Sequence, residues 1–226
     1  MFNPIKMVLF DLDGTLIDSA PDLAVAINLM MQDLDRPQYV ESTILQWIGN
    51  GSSRLVKRAL TGELQAEPDP KLFENALRLF LDHYERNMTN ASRIYDGVEQ
   101  TLLTLQDAGI ALACVTNKPG RFTEPLLEAI DLARFFSAVV SGDTSSQLKP
   151  HPEPLLYACE QMGAPARYAA QYGLMVGDSA SDILAAKAIN MPVVAVDYGY
   201  AQGKDLAALG ADKVVSNLTE IIPLLN

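Results

Sequence analysis

Two aspartates one residue apart, Asp11 and Asp13, stand directly after the apolar run Met7–Phe10 and lead into Gly14-Thr15. An ionised carboxylate at the end of a buried strand can attack phosphorus, and a neighbouring carboxyl group can pass a proton to a leaving group or take one from water. Other polar residues repeat the placement. Thr116 and Asn117 follow the run Ala111–Val115, and Lys149-Pro150 comes in the loop after Ala138–Val140. Gly177-Asp178-Ser179 follows Gly173–Val176, with Asp182 one helical turn further on. Ligands of open α/β sheets bind beyond the carboxyl ends of the strands. These side chains are therefore expected to converge on one rim.

The apolar runs must be the strands that position them. Met7–Phe10, Ala111–Val115, Ala138–Val140, Gly173–Val176, Val193–Val196 and a weaker Lys213–Val215 are short, several are rich in valine, and none alternates with polar residues. Strands buried on both faces of a parallel sheet read this way. Helical patterns such as Val98–Ala108, Pro154–Met162 and Ser181–Ile189 lie between them. The alternation predicts an α/β domain with right-handed crossovers.

One stretch departs from it. Residues 16–92 carry helical patterns and no convincing strand. Ser19-Ala-Pro-Asp22 reads as an N-cap with proline and an acid in the first turn. Leu72, Phe73, Ala76, Leu77, Phe80, Leu81 and Tyr84 form an apolar helical stripe. About 75 residues are too many for a loop, so a helical domain over the sheet edge is expected, with 1–15 and 93–226 as the main domain.

Crowded carboxylates repel one another unless a cation sits among them. Oxygen-only donors favour a hard ion such as Mg²⁺, with Asp11 and Asp178 as side-chain ligands. His83 and His151 form no ligand-spaced cluster with cysteine, which counts against zinc. An EF-hand loop would need glycine at its sixth position, whereas Gly14 stands fourth. A Walker A sequence is absent, and Gly49-Asn50-Gly51 lacks the third glycine of a dinucleotide fingerprint.

The chain has 226 residues, is 49% hydrophobic and carries a formal charge of −11. That acidity argues against nucleic acid, which is bound through basic patches. A small phosphorylated substrate remains compatible, provided the site supplies its own positive charge. Cys114 and Cys159 read as buried reduced thiols. No apolar run approaches the roughly 20 residues that span a bilayer, and the first residues lack signal-peptide order. No membrane partner and a cytoplasmic location are expected.

Asp11-Leu-Asp-Gly-Thr-Leu16, Val115-Thr-Asn117, Lys149-Pro150 and Gly177-Asp-Ser-x-x-Asp182 resemble, in order and over the whole chain, the four motifs of haloacid dehalogenase superfamily phosphatases. The resemblance implies a Rossmann-like parallel sheet flanked by helices, with a helical cap domain inserted after the first strand. It implies Mg²⁺ as cofactor, Asp11 as nucleophile and Asp13 as acid–base partner, protonated when substrate is bound. Asp11, Asp178 and the main-chain carbonyl of Asp13 would hold the metal, and Thr116, Asn117 and Lys149 the phosphate. Asp182 would orient Asp178 or a metal-bound water.

More narrowly, Asp18-Ser-Ala-Pro-Asp22, Trp47-Ile-Gly-Asn-Gly51, Thr116-Asn-Lys-Pro119 and Lys149-Pro-His-Pro152 resemble bacterial phosphoglycolate phosphatases. This implies a small phosphorylated carboxylic acid as substrate, with 2-phosphoglycolate split to glycolate and phosphate through an aspartyl-phosphate on Asp11. Gly49, Asn50, Gly51 and Arg54 are the cap candidates for specificity, since amides at a helix start can bind a carboxylate. Trp47 and His83 are expected to be structural, as is His151. Another small phosphomonoester, pyrophosphate, and β-phosphoglucomutase-like transfer remain open, as does, more remotely, a phospho-accepting module without turnover. Monomer and homodimer are equally open.

Overall fold

In a computed structural model, residues 4–49, 51–201 and 203–225 are described. The chain divides into two compact units: one runs to Ile17 and resumes at Ile94, and the other is Asp18–Arg93. β1 (Met7–Phe10) is followed by β2 (Ile17–Asp18), a strand too short to show periodicity in the sequence. The second unit then contributes α1 (Ala20–Asp33), α2 (Glu41–Leu45), α3 (Gly51–Thr61) and α4 (Pro70–Asn87). The chain returns through β3 (Arg93–Ile94), which pairs with β2. There follow α5 (Val98–Asp107), β4 (Ala111–Val115), α6 (Gly120–Ala129), β5 (Ala138–Val140) and α7 (Glu153–Gln161). Last come α8 (Ala169–Tyr172), β6 (Gly173–Gly177), α9 (Ala180–Lys187), β7 (Val193–Val196) and β8 (Lys213–Val215).

Six of these strands form one parallel sheet in the order β5-β4-β1-β6-β7-β8. Side chains alternate across it. Val8 and Phe10 of β1, with Leu112, Cys114, Leu174 and Val176 beside them, share a core with Leu102, Leu105 and Leu126 of α5 and α6. Met7 and Leu9 face the other way, among Val115, Met175, Leu155, Cys159 and Ile183. Both faces are thus covered, which is why the strands lack a polar face. β1 lies between β4 and β6. The chain builds outward on one side through β4 and β5, then crosses back to place β6 on the other side. The carboxyl end of β1 therefore opens at the point where strand order reverses, where such sheets bind ligands.

The helical unit packs α4 on α1 and α3. Ala76, Phe80 and Tyr84 are the buried line of α4, four residues apart, and the Phe80 and Tyr84 rings stack at 5.8 Å. Leu72, Phe73, Leu77 and Leu81, on the flanks of that line, are only partly covered. Trp47 is buried edge-on against Tyr39, with ring centroids 4.7 Å apart. His83 Nε2 lies 2.7 Å from Asp33 Oδ2 and joins α4 to α1.

At the start of α1, Ser19 takes the N-cap position, yet its side chain makes no capping bond. Asp18 Oδ1 accepts from the Ala20 amide at 3.3 Å instead. Asp22, expected only as a first-turn acid, is buried and accepts from the Ala91 amide at 2.9 Å, the Ser92 amide at 2.8 Å and the Ser92 hydroxyl at 2.7 Å. One carboxylate thus ties the beginning of the unit to its end. Asp22→Ala should strip these donors of their acceptor and cost roughly 2–4 kcal/mol. Urea unfolding of the full chain measures the loss, and an unchanged midpoint would contradict it.

Candidate active site

The rim at the end of β1 is assembled by backbone bonds before any side chain acts. Asp11 continues the β1–β6 ladder, its amide donating to Val176 O at 2.9 Å. The chain then turns sharply. Leu12 O accepts the amide of Leu16 at 2.9 Å, and Gly14 adopts φ +87°, a conformation open to glycine. Thr116 continues β4 in the same way, its amide donating to Val140 O at 2.9 Å. The Thr116 hydroxyl accepts from the Lys118 amide at 3.1 Å, so its own O–H can donate elsewhere.

Lys149 is the hub. Its buried Nζ lies 2.9 Å from Asp11 Oδ1, 2.7 Å from Asp182 Oδ1 and 2.6 Å from Val115 O. An ammonium has three N–H donors, and these three acceptors use them all. Burial alone would lower the lysine's pKa, but Asp11 and Asp182 outweigh it and hold it above its usual range. Lys149 therefore stays charged.

The side chains of Asp182 and Asn117 make bonds that the sequence did not suggest. Asp182 was expected to orient Asp178 or a metal-bound water; its bonds go elsewhere. Oδ1 takes Lys149, while Oδ2 accepts from the Ser179 amide at 3.1 Å and the Ser179 hydroxyl at 2.6 Å, closing a capping box on α9. Gly177 makes room for this, because a Cβ there would lie 2.4 Å from Asp182 Cγ. Asn117 was expected on the phosphate. Its side-chain amide is spent on the backbone of Lys149, donating to the carbonyl at 2.8 Å and accepting from the amide at 2.9 Å. It holds the Lys149 loop against the end of β4.

Asp178 is buried, and its Oδ2 accepts from the Tyr200 amide at 2.5 Å. Oxygens of Asp11, Asp178 and Asp182 lie within 4.8 Å of one another, a set that could hold a metal ion. Because Lys149 and Ser179 occupy both Asp182 oxygens, the candidate donors are the carboxylates of Asp11 and Asp178. Burial pushes the Asp11 carboxyl up to about 7, against the pull of Lys149 and with the help of Asp182. Burial, then Asp11 and Asp182, raise Asp178 well above the carboxylate range. A cation beside them would offset that cost, so the donor set and its electrostatics fit a hard divalent ion.

Asp13 stands apart from this trio. Its carboxylate oxygens lie 3.0 and 3.2 Å from Nζ of Lys118, a buried lysine to which the sequence reading gave no role. Only its position two residues beyond Thr116 on the same rim could have drawn attention to it. The segment Tyr198–Tyr200 was also missed, since nothing in its composition marks a site.

Among the cap candidates, Gly49 and Gly51 have φ +112° and +80°, and Gly51 opens α3. Arg54 pairs with Glu67 at 3.1 Å on the surface. Asn50 lies outside the described residues. Arg58, buried, donates to Trp47 O at 2.6 Å and Leu64 O at 3.2 Å, fixing the chain that leads into this turn.

A family model described as haloacid dehalogenase-like hydrolase matches residues 8–196. The chain belongs to that family. Within it, the chain is 48% identical over 218 residues to a phosphoglycolate phosphatase of Thiobacillus denitrificans, covering 96% of this chain and 94% of that one. It is 42% identical over 226 residues to the phosphoglycolate phosphatase of Nitrosococcus oceani, covering 100% and 99%. A crystal structure described as a predicted phosphoglycolate phosphatase from Haemophilus somnus superposes with TM-score 0.90 at 35% identity, covering all of both chains. No helix among the described residues is long and apolar enough to cross a membrane.

The raised carboxyls give a linkage with a definite sign. A group whose folded pKa exceeds its unfolded one stabilises the fold fully below the unfolded value and loses that contribution as pH rises through the folded value. For Asp11 the window runs from 3.8 to about 7. A cation that binds the ionised pair should therefore stabilise more as pH rises through it. Melting temperatures with and without saturating divalent cation should differ more at pH 8 than at pH 5. Equal differences would contradict the metal assignment.

Proposed function

We propose that this chain hydrolyses 2-phosphoglycolate to glycolate and phosphate, with Mg²⁺ and through an aspartyl-phosphate on Asp11. The observation that carries the reading is Asp11 held by Lys149 beside Asp178, in a chain alike from end to end to phosphoglycolate phosphatases. Two buried unpaired cysteines suit a cytoplasmic setting.

Asp11, Asp178 and the main-chain carbonyl of Asp13 would hold the metal. Bound there, Mg²⁺ would neutralise negative charge on the transferring phosphoryl group. The protein's own residues do the rest. Lys149 holds the Asp11 carboxylate in place, and a carboxylate oxygen of Asp11 attacks phosphorus as the bond to the glycolate oxygen breaks. Asp13 gives its proton to that oxygen and glycolate departs. Water then attacks the aspartyl-phosphate, Asp13 takes the proton, and cleavage of the Asp11–phosphorus bond releases phosphate. Thr116 O–H and the Lys149 charge stabilise the non-bridging oxygens.

Lys118 changes the view of Asp13. The expected neighbourhood was a crowd of carboxylates, whereas the partner found is an ammonium at 3.0 Å. The helical unit Asp18–Arg93 serves as the cap in this reading, and Gly49, Gly51 and Arg54 are its candidate specificity residues.

Phosphate release in Mg²⁺ should favour phosphoglycolate over pyrophosphate, hexose phosphates and nucleotides; equal or better turnover of another of these would replace the substrate. Asp11→Asn should keep its circular-dichroism spectrum and melting behaviour yet lose turnover, and retained turnover would remove the nucleophile. Lys118→Met should lower kcat/KM by on the order of tenfold or more, because Asp13 loses the partner that holds it. Wild-type rates in that variant would remove Lys118 from the mechanism.

A further inference from the structure

Three consecutive residues after β7 each reach the metal side of the rim. The Tyr198 hydroxyl donates to Thr15 O at 2.8 Å, and its ring packs on Tyr95 with centroids 4.5 Å apart. Burial raises the phenol's pKa, so it remains a protonated donor. The Tyr200 amide donates to Asp178 Oδ2 at 2.5 Å, and Tyr200 itself is buried. Between them Gly199 is pressed against the site. A Cβ there would lie 2.2 Å from Gly14 O and 2.5 Å from Asp178 Oδ2. Gly14 meets the same crowding from its side: a Cβ would fall 2.1 Å from Asp178 Oδ2 and 2.8 Å from the Tyr200 ring.

We propose that Tyr198-Gly199-Tyr200 is a clamp that positions Asp178 against the Asp11–Thr15 turn and thereby sets affinity for the divalent cation. Asp178 is buried among like charges, so its carboxylate needs a fixed donor on one oxygen to present the other. Tyr200 supplies that donor from the backbone, and a backbone donor can come this close only if residue 199 has no side chain. Tyr198 anchors the segment to the turn that carries Asp11 and Asp13. The glycines at 14 and 199 are thus two halves of one contact, with the Asp178 carboxylate between them. These are positioning residues, acting through Asp178 and the turn. Partners that orient metal ligands commonly contribute about 10–100-fold to metal affinity.

The inference rests on the metal reading above, and the test separates the two. Mn²⁺ binding to the substrate-free full chain is titrated by calorimetry for wild type, Gly199→Ala, Tyr198→Phe and the exposed control Lys204→Ala. Gly199→Ala should bind about tenfold or more weakly. In assays its apparent Mg²⁺ requirement should rise in step, while kcat at saturating Mg²⁺ stays within about threefold, a split that general destabilisation would not produce. Tyr198→Phe adds no bulk, keeps the fold, and should weaken binding by about threefold; Lys204→Ala should bind as wild type. Wild-type affinity in Tyr198→Phe, or in folded Gly199→Ala, overturns the clamp and leaves the metal site standing. Failure of the wild-type chain to bind any divalent cation overturns the metal site and the clamp together.

Discussion

A single buried ammonium draws its partners, two carboxylates and a carbonyl, from three separate places in the chain. Lys149 Nζ meets Asp11 from the end of β1, Asp182 from α9 and the carbonyl of Val115 from the end of β4. Each of these groups would be costly to bury alone, the carboxylates most of all. Together they satisfy one another, and the geometry around them follows. Asn117 clamps the Lys149 backbone so that the lysine can enter. Gly177 is glycine so that Asp182 can tuck beneath it. Asp182 in turn caps α9, so the helix that follows β6 is registered to the same hub.

The arrangement also assigns work between two pairs. Asp11 with Lys149 forms an ion pair that is closed on one oxygen and open on the other, which suits a nucleophile that must be aimed. Asp13 with Lys118 is a second pair, on the turn that follows Asp11. Burial raises the carboxyls of Asp11 and Asp178, with Asp182 adding to both and Asp11 adding to Asp178. A divalent cation beside such a pair would offset that cost.

Much of this could be read from residue order. Short valine-rich runs without a polar face could only be strands covered on both sides, and the chemistry sat immediately after them. Asp11, Thr116 and Asp178 were visible for that reason, and Lys149 from its place in the loop after β5. What escaped was whatever depends on a partner distant in sequence. Asn117 looked like a phosphate ligand, yet it bonds to a backbone 32 residues away. Asp182 is near Asp178 in the chain but turns to Lys149. Asp22 resembled a common first-turn acid and proved to hold Ala91 and Ser92. Lys118 and Tyr198–Tyr200 have no local pattern of apolar spacing or charge that distinguishes them from ordinary loop residues; their meaning is entirely tertiary.

Covalent attack by Asp11 is the claim on which the mechanism stands, and chemical trapping tests it most directly. The wild-type chain would be mixed with phosphoglycolate and Mg²⁺, quenched in acid during turnover and reduced with borohydride, which converts an aspartyl-phosphate to homoserine. Peptide mass spectrometry should then find homoserine at position 11, only when substrate was present, and nowhere else. Homoserine at another aspartate, or none at all from enzyme quenched while turning over, would contradict the account.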